Sequence, residues 1–203
     1  MILCDIGNTN VHINENGKIR TLSFEEFKVY RPDEVLYYIN VNPAVKVNAS
    51  FVNLAKKIKF RSTYTGLGVD RAFACYSVES GVVVDSGSAT TIDIMHNGIH
   101  LGGTILPGLE AFARAYESIS PTLKFTLNTN ISLDTIPQNT NDAISYAVVK
   151  SAVAIINELS GGKNIYFTGG NGAFLSRFFE GSIYNKNLVF DGMIKLLKEE
   201  NLC

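Results

Sequence analysis

Two carboxylates stand at the ends of apolar runs, each just ahead of a glycine: Asp5 in "MILCDIGNTN" and Asp85 in "VVVDSGSATT". Short apolar runs of this kind read as buried strands, which deliver their terminal carboxylate to the strand end. The glycine lets the chain turn sharply, and the small polar residues after it offer N–H groups and hydroxyls suited to phosphate oxygens. The carboxylate suits a hard cation. A lone Asp-x-Gly is ordinary turn chemistry, whereas two copies with matched surroundings point to phosphate binding. Other signatures are missing from the chain: a Walker-type Gly-x-x-x-x-Gly-Lys-Ser/Thr, a Gly-x-Gly-x-x-Gly after a strand, and a Gly-x-Ser-x-Gly elbow around Ser88. His12, His96 and His100 fall on or beside hairpins, where solvated positions are expected and a metal trio is not.

The elements that must hold these residues follow from periodicity and turn chemistry. Ile2 to Cys4 reads as a strand. Val11–Ile13 and Lys18–Leu22 flank Asn16-Gly17, and Thr91–Met95 and Ile99–Gly102 flank Asn97-Gly98; Asn-Gly favours positive φ, so both are hairpins. With Asp5 set on Asp85, the two hairpin turns fall within one residue of register. Arg31-Pro32-Asp33-Glu34-Val35 is expected to start a helix, Lys46–Ser50 to be a weak strand, and Phe51–Ile58 a short helix. Leu109, Phe112, Ala113 and Tyr116 share a helical face. The longest helical stripe runs from about Asn141 to Leu159, with little charge on its other face, and so suits cover by a sheet and by a partner chain. Strands are expected at Asn164–Phe167 and at Leu188–Phe190, the latter leading into a C-terminal helix. Strands alternating with helices make an α/β chain of two related units, 1–80 and 81–203.

Composition narrows the field. Of 203 residues, 46% are hydrophobic and 18% charged, enough apolar material for a packed core, and the formal net charge is −1. That balance gives no general pull toward nucleic acid or an acidic membrane, and Lys56, Lys57, Lys59 and Arg61 are too few for a nucleic-acid patch. No apolar run looks long enough to cross a bilayer, and no signal peptide precedes Asp5. Cys4, Cys75 and Cys203 show no ligand spacing, which fits reduced thiols in a cytoplasm, with Cys4 as a small apolar filler.

Six motifs occur in a fixed order: Asp5-Ile6-Gly7-Asn8-Thr9-Asn10, Gly68-Val69-Asp70-Arg71, Asp85-Ser86-Gly87-Ser88-Ala89-Thr90-Thr91, Gly102-Gly103-Thr104-Ile105-Leu106-Pro107-Gly108, Asn139-Thr140-Asn141-Asp142-Ala143-Ile144 and Thr168-Gly169-Gly170. Together they resemble type III pantothenate kinase over nearly the whole chain. The resemblance implies the actin-like ATPase (ribonuclease H-like) fold, two related domains with a nucleotide cleft between them, and phosphorylation of pantothenate's primary hydroxyl by ATP, the first step toward coenzyme A. It implies Asp5 as the Mg²⁺-organising carboxylate, with Ile6, Gly7, Asn8, Thr9 and Asn10 around the ATP phosphates. Asp85 matches a monovalent-cation ligand for K⁺ or NH₄⁺, and Ser88 an ATP-contacting threonine. Gly169 and Gly170 would lie near the adenine; a strand-to-helix turn is their plainer reading.

On the substrate side, Asp70 is the expected general base. Arg71 suits pantothenate's carboxylate, Gly68 and Val69 complete that turn, and Tyr64 is either a lining residue or a core tyrosine. Thr140 matches a substrate-contacting threonine given across a homodimer interface, and reads equally as a helix N-cap. Ala147 stands where the family tends to have glycine. Two other functions remain open at this point: a kinase of the same fold for another hydroxyl substrate, and a nucleotide-binding regulatory protein without catalysis.

Overall fold

The computed structural model describes residues 1–202; Cys203 lies outside them. In chain order the strands are β1 (Ile2–Ile6), β2 (Val11–Glu15), β3 (Lys18–Leu22), β4 (Leu36–Asn40), β5 (Val52–Asn53), β6 (Arg61–Ser62), β7 (Gly81–Ser86), β8 (Ala89–His96), β9 (Ile99–Pro107), β10 (Ile165–Thr168) and β11 (Ile183–Tyr184). The helices are α1 (Phe24–Val29), α2 (Val69–Tyr76), α3 (Leu109–Ile119), α4 (Thr140–Ser160), α5 (Gly172–Ser176) and α6 (Leu188–Glu199). Two compact units result: residues 1–79 with 97–100 and the segment from Asn187 on, and residues 80–96 with 101–186.

In the first unit the strand order is β3-β2-β1-β4-β5. β1 pairs antiparallel with β2 and parallel with β4, and β2 continues into β3 through Asn16 and Gly17, both at positive φ. Cys4, Ile6, Val11, Ile13, Phe27 and Leu36 form its buried cluster. The second sheet has the order β11-β10-β7-β8-β9-β6. β7 pairs antiparallel with β8 and parallel with β10, and the Asn97-Gly98 turn again has both residues at positive φ. The duplication inferred from Asp-x-Gly thus extends to five strands of each sheet, while β6, paired parallel with β9, has no counterpart. The one-residue offset between the hairpins sums two opposed differences. The turn after β1 leaves residues 7–10 between the paired Ile6 and Val11, one more than the 87–89 turn between Ser86 and Thr90, whereas β8 is longer than β2.

Several expected elements do not form. The helix expected from Arg31 is displaced upstream to α1, where Ser23 and Glu26 make a capping box. α1 closes when the Arg31 guanidinium donates to the carbonyls of Lys28 and Tyr30, both at 2.9 Å, and Pro32 disfavours a helical residue before it. β4 was not anticipated; Leu36-Tyr37-Tyr38-Ile39 is rich in strand-favouring residues and joins the centre of the sheet. From Asn40 to Ala55 four asparagine side chains accept the backbone N–H two residues on: Asn40 from Asn42, Asn42 from Ala44, Asn48 from Ser50, and Asn53 from Ala55, at 2.8–3.1 Å. Such Asx turns compete with regular structure. They remove both the strand expected at Lys46–Ser50 and the helix expected at Phe51–Ile58. Leu188–Phe190 is the first turn of α6 rather than a strand: burial continues at Met193, Leu196 and Leu197 with helical period.

α6 belongs to the first unit because it packs on α2. Gly192 makes this possible, since a Cβ there would collide with the Phe73 carbonyl. Phe73 is fully buried, and truncating such a ring typically costs about 3–5 kcal/mol. Lys195 ties the pair further, donating to the Tyr76 carbonyl at 3.0 Å.

By length and composition α4 does reach the size needed to cross a bilayer, contrary to the sequence expectation. Its apolar stripe is used otherwise: Val149, Ala152 and Ile156 lie in one cluster with Val82, Val84, Ile92 and Phe167 of the sheet. Its other face carries Asp142, Lys150 and Glu158, so it is a core helix of the second unit.

Candidate functional site

At the end of β1 the sequence forces a carboxylate out of the core. Ile2, Leu3 and Cys4 are buried, Asp5 is half-buried, Ile6 is buried, and Asn8, Thr9 and Asn10 are exposed. The Gly7 N–H donates to the Asn10 carbonyl at 3.0 Å and closes a turn that carries these polar side chains. Oδ1 of Asp5 is shut off from solvent, a hard oxygen of the kind a divalent cation takes. Burial pushes the neighbouring Cys4 thiol far up, and the charge of Asp5 adds to that. Cys4 is therefore a protonated, inert filler, as its place in the strand suggests.

The Asp85 turn repeats this pattern of burial from Val82 to Ala89, and it is more tightly enclosed, with Thr90 buried where Asn10 is exposed. The Gly87 N–H donates to the Ala89 carbonyl at 2.8 Å, and the Ser86 hydroxyl bonds Thr90 at 2.8 Å. Two distant glycines lie directly against it. A Cβ on Gly108 would stand 2.6 Å from the Ser88 carbonyl oxygen, and one on Gly169, whose φ is +81°, would stand 2.6 Å from the Ser86 carbonyl oxygen and collide with Asp85 Oδ1. The Gly108 N–H donates to the Ser88 carbonyl at 3.2 Å, and the Asn171 N–H to the Ser86 carbonyl at 2.8 Å. Three of the six motifs thus converge within the second unit: the Asp85 turn, the end of the Leu106-Pro107-Gly108 run and the Thr168-Gly169-Gly170 turn. Gly170 has open space where a Cβ would lie.

The Gly68-Val69-Asp70-Arg71 motif forms the entry to α2, with Gly68 as N-cap. The Asp70 carboxylate accepts the Arg71 backbone N–H at 2.7 Å, and a Cβ on Gly68 would stand 2.7 Å from the same Oδ1. The glycine leaves that carboxylate its room. Arg71 is only 7% exposed, a costly position for a guanidinium unless its charge is met. Part of that cost is offset by Tyr64, whose ring centroid lies 4.8 Å from the guanidinium carbon.

Thr140 is the first residue of α4 and exposed, but it is not the cap: Asn139 takes that place, accepting the Asp142 N–H at 2.9 Å. Asn128 and Asn139 hold the Asp142 carboxyl below its usual range. Beside Thr140 is an open depression of about 620 Å³ lined by Tyr116, Pro137, Gln138 and Ile144 among others.

One histidine departs from expectation. His96 is exposed and His12 half-buried, its pKa lowered by burial. His100 is fully buried, bonded through Nδ1 to the Ser62 hydroxyl at 2.7 Å. β9 turns His100 inward and leaves Leu101 exposed beside it, the reverse of what the apolar-polar-apolar residue types would suggest.

A family model for type III pantothenate kinase matches residues 29–161. A type III pantothenate kinase of Campylobacter jejuni (strain RM1221) is 47% identical, covering 98% of this chain and 97% of its own. One of Helicobacter hepaticus is 43% identical, covering 98% and 100%. A crystal structure from Campylobacter jejuni, of a conserved protein provisionally assigned to the Baf family of transcriptional activators, has a TM-score of 0.92 at 44% identity and covers all of both chains. A Sinorhizobium meliloti protein provisionally described as a 2-dehydro-3-deoxygalactonokinase has a TM-score of 0.59 at 10% identity over 98% of this chain and 96% of its own, a likeness of fold alone. Built on the actin-like ATPase fold and matched along its whole length, the chain belongs to the type III pantothenate kinase family.

Proposed function

We propose that this chain transfers the γ-phosphoryl group of ATP to the primary hydroxyl of pantothenate, giving 4′-phosphopantothenate in the first step of coenzyme A biosynthesis. As a member of its family it is a phosphotransferase that uses ATP with a divalent metal. The observation that carries the assignment of roles is the entry of α2, where the Asp70 carboxylate accepts the Arg71 backbone N–H and the next side chain, Arg71, is a buried guanidinium over the Tyr64 ring. A base and a carboxylate receptor side by side suit a substrate that bears both a hydroxyl and a carboxylate.

Asp70 accepts the hydroxyl proton as the phosphoryl group moves. It need not be a strong base, because phosphoryl transfer depends mostly on positioning and on neutralising charge. Arg71 receives the pantothenate carboxylate as a fork-like donor, Tyr64 lines the same place, and Gly68 and Val69 give the substrate close approach to backbone. Asp5, with Ile6, Gly7, Asn8, Thr9 and Asn10, holds Mg²⁺ and the ATP phosphates. A divalent ion there neutralises phosphate charge. Asp85 binds K⁺ or NH₄⁺, and Ser88 contacts the nucleotide through its hydroxyl. Thr140 serves a pantothenate bound by the partner of a homodimer, with the exposed face of α4 as part of the interface. The buried thiols of Cys4 and Cys75 suit a cytoplasmic setting.

The test is ADP release from purified protein with pantothenate, with and without K⁺ or NH₄⁺. Turnover that requires pantothenate and rises with the cation is expected. ATP binding without pantothenate turnover, or preference for a neutral sugar, would overturn the reading. Asp70→Asn is expected to keep the circular-dichroism spectrum and lose roughly 10²–10⁴ in kcat, the range typical of general-base removal; wild-type turnover would remove Asp70 from that role. Asp85→Asn is expected to flatten the dependence on K⁺.

A further inference from the structure

Tyr64 sits in an exposed stretch with little regular structure to hold it. β6 is two residues long, too short to fix a turn by itself. A strand pairing and two hydrogen bonds supply what it lacks, all on one residue of β9. Ser62 pairs with His100 across the strands, the Thr63 N–H donates to the His100 carbonyl at 3.1 Å, and the Ser62 hydroxyl meets His100 Nδ1 at 2.7 Å. The same Ser62 oxygen accepts the Tyr64 N–H at 2.9 Å. A hydroxyl can accept from an amide and still pair with an imidazole in either tautomer, so Ser62 links the buried ring directly to the Tyr64 backbone.

The ring also packs against aromatic neighbours in tilted arrangements. Phe60 lies 5.9 Å from His100 and tilted by 31°, and the Tyr64 ring lies 6.1 Å away. Phenylalanine would fill this pocket equally well. The nitrogen facing Ser62 is a contact that phenylalanine could not supply, and a fully buried polar ring is kept at a cost unless its bonds serve the structure.

We propose that His100 is a positioning residue for substrate: through Ser62 it fixes the 62–64 turn, and so sets Tyr64 beneath Arg71 in the place that receives pantothenate. This rests on the reading of Tyr64 and Arg71 given above. Its mark is selective, bearing on the binding of pantothenate and leaving ATP binding and the chemical step alone.

The experiment is steady-state kinetics on the full chain, varying pantothenate and ATP separately. His100→Phe keeps an aromatic ring and removes both nitrogens; KM for pantothenate should rise at least roughly 2- to 10-fold, the worth of the Ser62 hydrogen bond alone, with kcat and KM for ATP little changed. His100→Asn, which restores a polar atom near the Nδ1 position, should bring KM back toward wild type. Ser62→Ala alters an exposed residue, so it decides the matter should His100→Phe fail to fold, and it should raise KM for pantothenate in the same way. Unchanged KM for pantothenate in Ser62→Ala, or equal shifts in both KM values, would overturn the positioning role while normal turnover persists. Absence of pantothenate turnover in the unaltered chain would instead overturn the functional reading beneath it.

Discussion

The two sheets share the order of five strands, pairing sense and a carboxylate at the end of the central strand, yet they treat the surroundings of that carboxylate in opposite ways. In the first unit the residue after β3 is Ser23, which caps α1 with its hydroxyl; in the second the residue after β9 is Gly108, which caps α3 with no side chain at all. Beside Ile6 on the parallel neighbour stands Asn40, whose amide accepts the N–H of Asn42. The matching position beside Ser86 is Gly169. At both places the first unit has a polar side chain that satisfies local backbone groups, and the second has a glycine pressed against the turn. The second unit gives up only about a few tenths of a kcal/mol of capping at Gly108 and gains close backbone approach around Asp85. We read the difference as a division between a turn left open to phosphates and one enclosed around a small cation.

Exchanging the residues tests this. Gly169→Asn imports the Asn40 side chain; asparagine tolerates positive φ, so the substitution isolates the collision with Asp85 and Ser86. A loss of about 3 kcal/mol in urea unfolding is expected, and unchanged stability would mean the enclosure is loose. Gly108→Ser supplies a capping hydroxyl yet should destabilise by about 2 kcal/mol, because its Cβ meets the Ser88 carbonyl. A gain in stability would show that the close approach can relax. Ser23→Ala should cost about 1 kcal/mol with kinetic constants unaltered, and any fall in kcat would tie α1 to function. Smallest of all, Asn40→Ala should cost roughly 0.5–1 kcal/mol, the net worth of one hydrogen bond, again seen in the urea midpoint.

These contrasts also explain what could be read beforehand. Asn16-Gly17 and Asn97-Gly98 were legible because the pair demands positive φ at both residues. α4 was legible because its stripe persists for 21 residues. The stretch from Asn40 to Ala55 was not, since each Asx turn is a local choice between a side-chain and a ladder partner that composition does not decide. Leu188-Val189-Phe190 is short enough to suit either period, and only its continuation to Leu197 settles it. Within the site, the Asp-x-Gly phrases and Gly68–Arg71 announce themselves by residue type. The roles of Gly108 and Gly169 do not, because a glycine in a sequence gives no hint of which backbone it will lie against. His100 was misjudged by its nearness to a turn, and the apolar-polar-apolar run Ile99-His100-Leu101 would also have turned it outward, whereas the structure buries His100 and exposes Leu101.

Gly192 has a consequence for the order in which the molecule is made. The helix that presents Asp70 and Arg71 is completed by α6, and the Lys195–Tyr76 bond joining them spans 119 residues. The strands of the second sheet and all of α4 leave the ribosome in between. During synthesis the second unit can close on itself while α2 still waits for its cover, with the Phe73 ring unshielded. α2, the helix of Asp70 and Arg71, is therefore a late-maturing part of the protein, covered only when α6 has been made.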